Sequence, residues 1–597
     1  MTVTPGDSPD KERSAAAQSW RRALELTAPI ARHPDVTFPV VIDRMAEQFG
    51  DAPALISERQ TLSYAALAAR AGQYAAWAAA QCLEPGEVVC LMMPNCPEYL
   101  AIWLGIVRAG GVVALINTNL GGDALRHAIG IVRPRHVIVA AEFLNAVATV
   151  LPQLGPVRAW AHGGDAPGWP RVDHALPASG VYRDLAAPTL ADRALYIYTS
   201  GTTGLPKAAS VSHHRLMQWT HWFAGLIGTT QDDRMYNCLP MYHSVGGVVA
   251  TGAVLVAGGS VAIRERFSAS RFWDDIDRWD CTLFQYIGEL CRYLLAAPPH
   301  PRETGHRMRL ACGNGLRGEL WQDFQNRFEI PRIIEFYAAT ESSFSLYNCD
   351  GKPGSIGRVP AYLAHRFPVA IVKFDVDAGE IVRGTDGFCI RCAADEIGEA
   401  IGRLPDKTTE TGGSFEGYTD AAASEAKILR DVFAPGDAWY RTGDLMRRDR
   451  AGYFYFIDRI GDTFRWKGEN VSTTEVEAAI AACPGVVEAV VYGVAVPDAE
   501  GRAGMTALVT NGDFDLAAFA QTLAERLPEY ARPVFLRLSP QIATTGTFKP
   551  QKQALAREGF DPAATGDALY VFDRACGAFV PLNVQLYTQV QRGKVRL

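Results

Sequence analysis

The sequence carries no excess of one charge: 58 Lys and Arg stand against 65 Asp and Glu, a formal net charge of -7. No global attraction to nucleic acid or to anionic lipid follows, and nucleic acid is not an expected partner. A dense cysteine framework is also missing. Twelve cysteines scattered over 597 residues do not staple a small secreted domain, and reduced thiols are the simpler reading. Cys389 and Cys392 form a C-x-x-C, but Phe388-Cys389-Ile390-Arg391-Cys392 reads as a strand, whose odd separation sends the thiols to opposite faces. The amino end, with Asp7, Asp10, Lys11 and Glu12, lacks the apolar core of a secretory signal, so a cytoplasmic location is expected. Long apolar runs are scarce. Only Val245 to Ile263 is long and uncharged enough for a membrane span, and its five glycines, with Thr251 and Ser260, make buried core the better reading.

What is present is ordinary globular composition, 48% hydrophobic and 21% charged, in a chain several times the usual domain length. From Val40 to about Leu310, strand-like runs such as Val88-Val89-Cys90-Leu91-Met92 alternate with helix-like stretches such as Tyr64 to Cys82. That rhythm predicts an α/β fold with largely parallel sheets. The strand Phe454-Tyr455-Phe456-Ile457 ends in Asp458-Arg459-Ile460-Gly461-Asp462, after which a new pattern begins. A large domain over 1–458 and a small α+β domain over 459–597 are therefore expected. Between Ser14 and Ile30, Ala16, Trp20 and Leu24 recur every four residues beside Arg21 and Arg22. The pattern fits a helix docked on its own domain, with peripheral membrane contact at the inner face as the alternative.

The strand-like Ala194 to Tyr198 runs into Thr199, Ser200, Gly201, Thr202, Thr203, Gly204, Leu205, Pro206 and Lys207. Glycines let backbone N–H groups approach phosphate oxygens, hydroxyls add donors and Lys207 adds charge. The Walker pattern fails, because two residues separate Gly204 from Lys207 and no G-K-[ST] follows.

This loop resembles the signature of the adenylate-forming superfamily, which includes acyl-CoA synthetases and luciferases. In the family's order follow Leu239 to Ser244, Phe336-Tyr337-Ala338-Ala339-Thr340-Glu341, Tyr440-Arg441-Thr442-Gly443-Asp444 and Asp458-Arg459. The run Tyr455 to Glu477, the ending Thr545-Gly546-Thr547-Phe548-Lys549 and the tail Gly559 to Pro562 resemble the branch of fatty-acid transport proteins and long- and very-long-chain acyl-CoA synthetases.

The resemblance implies a large adenylate-forming domain and a small mobile one. It implies ATP and coenzyme A as cosubstrates, Mg²⁺ arriving with ATP, and a fatty acid joined to coenzyme A through an acyl-adenylate. Lys549 takes the adenylation step, Glu341 and Thr202 face the metal, and His243 gates the passage between nucleotide and acyl sites. Residues 199–204, Lys207, Gly313, Asn314, Gly315, Tyr337, Ala338, Ala339, Thr340, Asp444 and Arg459 bind the nucleotide, with Asp444 on the ribose. Where the family often has Asp or Lys at its hinge, this sequence has Gly461, which tolerates a large backbone change. Lys467, Gly468, Glu469, Tyr492 and Gly493 are expected near the thiol channel.

Two rivals stay open. Gly313-Asn314-Gly315-Leu316-Arg317-Gly318 fits G-x-G-x-x-G between a strand and the helix-like Glu319 to Phe328; read alone it suggests a dinucleotide site with Glu335 on a ribose. A lipid-uptake protein using the fold without catalysis is the other. Among enzymes, a ligase that loads a carrier protein would share the first half-reaction, and one acting on aryl or short-chain acids would share both. A homodimer is the default assembly.

Overall fold

The computed structural model describes residues 9–180, 187–199, 205–342, 344–376, 378–404, 415–467, 469–497, 501–545, 550–595 and 597. Two compact units emerge, Met1–Ala364 with Arg403–Leu429, and His365–Gly402 with Arg430–Leu597. Packing thus divides the chain earlier than the change of pattern at Asp458. The reason is a sheet ordered Tyr453–Arg459, Ala438–Arg448, Gly398–Arg403 and Val369–Val372, whose strands hold one another before the C-terminal pattern starts.

The α/β rhythm appears as two sheets in the large unit. One is ordered Arg158–His162, His136–Ala140, Val88–Met92, Val112–Leu115, Arg193–Thr199 and Lys207–Ser212, parallel except for the final pair. Every residue of Val88–Met92 and His136–Ala140 is buried, as strands covered on both faces require. The second sheet has a parallel centre made of Ile333–Ala338, Leu310–Asn314, Leu283–Ile287, Arg234–Asn237, Ser260–Ile263 and Pro53–Ile56, with an antiparallel strand at either end. In such sheets ligands collect at the carboxyl ends of the strands.

The apolar stretch from Val245 is a π-helix, Val245–Val249, then a helix, Ala250–Leu255, and the strand Ser260–Ile263, nearly all buried. Among the described residues no helix is long and apolar enough to cross a membrane. The helix Pro9–Thr27 lies on the helix His213–Ile227. Ala16, Trp20 and Ala23 are buried there, and Arg22 Nε donates to the Gly225 carbonyl at 3.1 Å. A Cβ on Gly225 would stand 2.4 Å from Ala23, so glycine permits this crossing. The apolar stripe of the segment therefore faces its own unit.

The C-terminal part of the small unit is α+β. Its sheet runs Val486–Ala495, Arg502–Thr510, Phe535–Leu538, Ala568–Asp573 and Ala578–Pro581, beside the helices Thr473–Ala481, Leu516–Arg526, Lys552–Glu558 and Val584–Gln591. The last residues belong to that core, with Phe560 stacked on Phe535 at 4.2 Å between centroids. Cys389 and Cys392 are free thiols, but the expected strand reduces to isolated bridges, Arg383 with Cys389 and Val372 with Arg391. Their amides turn to different neighbours, Cys389 N–H to Val432 O and Cys392 N–H to Ile371 O.

Candidate active site

Thr199 and Lys207 are a cross-strand pair at the base of the signature loop, since Arg193–Thr199 pairs antiparallel with Lys207–Ser212. Ser200, Gly201, Thr202, Thr203 and Gly204 lie outside the described residues. A segment that the motifs did not flag crosses this base. Thr419 N–H donates to Ala208 O and Ser210 N–H to Gly417 O, both at 3.0 Å, so residues 417–419 run as an extra edge beside the strand. The Tyr418 hydroxyl donates to Glu341 Oε1 at 2.5 Å and lies beside the Thr199 side chain, while Lys207 Nζ lies 5.6 Å from its ring centre. Burial, with Glu341 beside it, pushes the phenol's pKa well above its ordinary value, so the hydroxyl stays a neutral donor.

Glu416, two residues before, accepts from Ser212 N–H and Ser212 Oγ at 2.7 Å and from Arg215 Nε at 3.2 Å. The buried Arg215 then donates to the Thr340 carbonyl at 2.8 Å. Thr340 and the buried Glu341 are thus held from both sides, and Thr340 Oγ1 lies 3.3 Å from Ser244 Oγ. Loop base, Lys207, Thr340 and Glu341 form one neighbourhood in the large unit.

Gly313 and Asn314 end the strand Leu310–Asn314, and Gly315 turns the chain at φ +84°. A Cβ on Gly313 would stand 2.3 Å from Tyr286 O, so this glycine answers to protein backbone. Glu335 does not reach outward for a ribose. Its buried carboxylate accepts from Gly315 N–H and Leu316 N–H and from the Tyr286 hydroxyl at 2.5 Å. Desolvation pushes its pKa up to about 8. This commitment removes the acidic residue from the dinucleotide reading and makes Glu335 the post on which the glycine turn hangs. On the same strand, Tyr337 is half-buried and meets Phe344 edge-on at 5.6 Å. Ala338 is exposed at the strand end and Ala339 follows it.

His243 stands between a tight turn and the π-helix. Its carbonyl accepts from Gly247 N–H at 2.8 Å, and its ring lies 4.7 Å from that of Tyr242. Two buried asparagines fix the turn: Asn95 accepts from Met241 N–H and donates to Leu239 O, and Asn237 donates to Gly246 O, all at 2.8 Å. A Cβ on Gly247 would stand 1.9 Å from Met241 O. The strained helix type and its glycines follow from this close approach.

In the small unit Asp444 faces Arg459 across the strands Ala438–Arg448 and Tyr453–Arg459, with 4.0 Å between Asp444 Oδ1 and Arg459 Nε. The strand just before Asp444 is held by a second buried acid. Glu399 accepts from Arg441 Nε at 3.1 Å, from Arg441 Nη2 at 2.6 Å and from Gly443 N–H at 3.2 Å. Gly461 sits at φ +99° with no atom within 4 Å of an added Cβ. Just before it, the buried Asp458 accepts from Thr473 N–H at 2.7 Å, and Lys552 Nζ reaches Thr473 Oγ1 at 2.7 Å and Glu477 Oε1 at 3.0 Å.

Of the residues expected near the thiol channel, Lys467 lies 3.9 Å from Glu529 at a positive φ of 53°, and Glu469 is exposed. Tyr492 is buried beside Arg537, and a Cβ on Gly493 would meet Phe464 at 2.7 Å. Both of the latter serve packing. Gly468 and Lys549 lie outside the described residues.

Comparison with known proteins fits this arrangement. The model of the AMP-binding enzyme family matches residues 42–387, and that of the AMP-binding enzyme C-terminal domain matches residues 475–549. Long-chain fatty acid transport protein 1 of Mus musculus is 43% identical over 522 residues, 86% of this chain and 80% of that protein. The medium/long-chain-fatty-acid–CoA ligase FadD6 of Mycobacterium tuberculosis is 37% identical over 559 residues, 93% of this chain and 91% of that protein. The crystal structure of the anthranilate CoA ligase AuaEII with anthranoyl-AMP shares the fold at TM-score 0.74 and 21% identity, over 89% of this chain and 97% of that one. With one family model spanning more than half of the sequence and relatives aligned over most of their own length, the chain belongs to the AMP-binding enzymes.

Proposed function

We propose that the protein is an ATP-dependent ligase that joins a long- or very-long-chain fatty acid to coenzyme A through an acyl-adenylate, releasing pyrophosphate and then AMP. The observation that carries the reading is the gathering of Thr199, Lys207 and Glu341 around Tyr418, with Thr340 held by Arg215, at the base of a glycine- and hydroxyl-rich loop. Such a loop suits a triphosphate. The fatty-acid class rests on what the transport protein and the ligase FadD6 are named for.

A carboxylate is a poor acyl donor, so its oxygen must first become part of a mixed anhydride with phosphate. As it attacks the α-phosphate, charge grows on the phosphoryl oxygens, and cations aimed at that charge lower the barrier. Lys207 and Lys549 are the cations assigned here, Lys549 to the adenylation step. Asp444 would accept the ribose hydroxyls with Arg459 beside it, and the turn at Gly313, Asn314 and Gly315 with Tyr337, Ala338 and Ala339 would receive the purine. His243 would gate the acyl passage.

No group of three His, Cys, Asp or Glu among the described residues could hold a metal alone. A hard cation such as Mg²⁺ would come with the triphosphate, with Glu341 and Thr202 as protein ligands, and when bound it neutralises phosphate charge. Residues 459–597 would turn about Gly461, whose open φ +99° tolerates the change, to exchange adenylation for thioester formation. Lys467, Gly468 and Glu469 would then line the thiol path, with Tyr492 and Gly493 as its packed support. We assign a cytoplasmic location, and a homodimer as the default assembly.

The test is fatty-acid-dependent exchange of pyrophosphate into ATP without coenzyme A, over short to very long chains. Exchange confined to the longer acids supports the reading; none with any acid contradicts it.

A further inference from the structure

We infer that Tyr418 is a positioning residue for Glu341, and that residues 416–419 form a strap tying this carboxylate to the base of the phosphate loop. The inference deepens the function just proposed and rests on Glu341 as the carboxylate for the ATP-borne cation.

Three contacts of one side chain carry it. The Tyr418 hydroxyl donates to Glu341 Oε1 at 2.5 Å and lies beside Thr199, and its ring lies under Lys207 Nζ at 5.6 Å. Thr199 is the last described residue before the loop, and Lys207 pairs with it on the far side. One phenol therefore bonds the carboxylate while standing beside both ends of the loop.

The strap explains how that phenol is aimed. Residues two apart on an extended segment point to the same side, and Glu416 and Tyr418 use this. Glu416 grips Ser212 and Arg215, and Arg215 holds the Thr340 carbonyl at 2.8 Å. Tyr418 holds the next residue, Glu341. Backbone bonds from 417 and 419 to Ser210 and Ala208 keep the segment in register. Two adjacent residues of the site are thus set by two alternate residues of the strap.

A hydroxyl gives a carboxylate a fixed orientation without bringing a charge of its own. That suits an oxygen offered to a hard cation, where a guanidinium partner would cancel the charge. Tyr418 needs to touch neither ATP nor the reacting atoms.

The experiment is pyrophosphate exchange at saturating ATP and fatty acid, titrated with Mg²⁺, in the full-length protein. Tyr418→Phe keeps the ring under Lys207 and removes the donor. The expected result is a half-saturating Mg²⁺ about tenfold higher, the loss of roughly one hydrogen bond to a charged group, with the melting temperature near wild type. Glu341→Asp should shift the same midpoint, and Tyr418→Phe on that background should add little, because the two act as one unit.

An unchanged Mg²⁺ midpoint in Tyr418→Phe, with active wild type, would overturn the inference and leave Tyr418 a packing residue. A full additive shift on the Glu341→Asp background would overturn it too. If Tyr418→Phe does not fold, Tyr418→His, which keeps a ring and an N–H donor, carries the test: a midpoint close to wild type supports positioning, and a shift of about tenfold or more overturns it. Absence of exchange in the wild type would fail the underlying function instead, which separates the two outcomes.

Discussion

Glu335 in the large unit and Glu399 in the small unit do the same mechanical job with different electrostatics. Each is a buried carboxylate gripping the N–H of a motif glycine, Gly315 before the expected purine pocket and Gly443 before the expected ribose carboxylate Asp444. Glu335 is held by neutral donors, two backbone N–H groups and the Tyr286 hydroxyl. Glu399 is held by the Arg441 guanidinium. Desolvation therefore dominates the first, whose pKa rises to about 8, whereas an ion pair compensates the charge of the second. A buried acid can hold a motif glycine either way, and the raised pKa of Glu335 makes its turn responsive to pH.

The largest expected effect breaks the ion-paired member. Glu399→Ala strands a half-buried guanidinium, and denaturant unfolding of the small unit should show a loss of about 3–5 kcal/mol. An effect below about 1 kcal/mol would mean that Arg441 finds water instead. Next comes the cation that neither acid replaces: Lys549→Ala should lower pyrophosphate release by about a hundredfold or more with stability kept, and an unchanged rate removes its role.

Glu335→Ala should cost about 1–3 kcal/mol through two unmet backbone donors and raise the KM for ATP. Glu335→Gln, which imitates the protonated acid, should restore most of both. The smallest effect is on pH. Between the ordinary carboxylate range near about 4 and the raised value of about 8, the folded chain holds one proton more than the unfolded chain. Stability should fall as pH rises through that window and level off above it, and Glu335→Gln should flatten this slope in thermal melts.

Contiguous patterns were legible in the sequence, and distant partners were not. The α/β rhythm, the small α+β domain and the loop before Lys207 each lie in a single stretch, so composition and spacing reveal them. Glu399 lies 42 residues from Arg441 in sequence, and Tyr418 lies 77 from Glu341; neither belongs to a phosphate-binding or metal pattern. Glu335 was visible but misleading, because the same acid after a glycine turn could face a ribose or fold inward onto the turn. Burial decides between them, and one sequence does not display it. The boundary at Asp458 was read where the pattern changes, whereas packing follows the sheet that already gathers residues from Val369 onward. Asn95 reached the His243 turn from more than a hundred residues away, with no local signal to announce it.

The central claim is that this site activates a fatty acid as its adenylate and hands it to a thiol. The most direct measurement follows AMP, pyrophosphate and acyl-CoA together after mixing the protein with ATP, Mg²⁺, coenzyme A and fatty acids from short to very long chains. Equal amounts of all three are expected with the longer acids, and acyl-adenylate with pyrophosphate when coenzyme A is withheld. Fatty-acid binding with no pyrophosphate from any chain length would contradict it and leave a lipid-binding protein on a ligase fold.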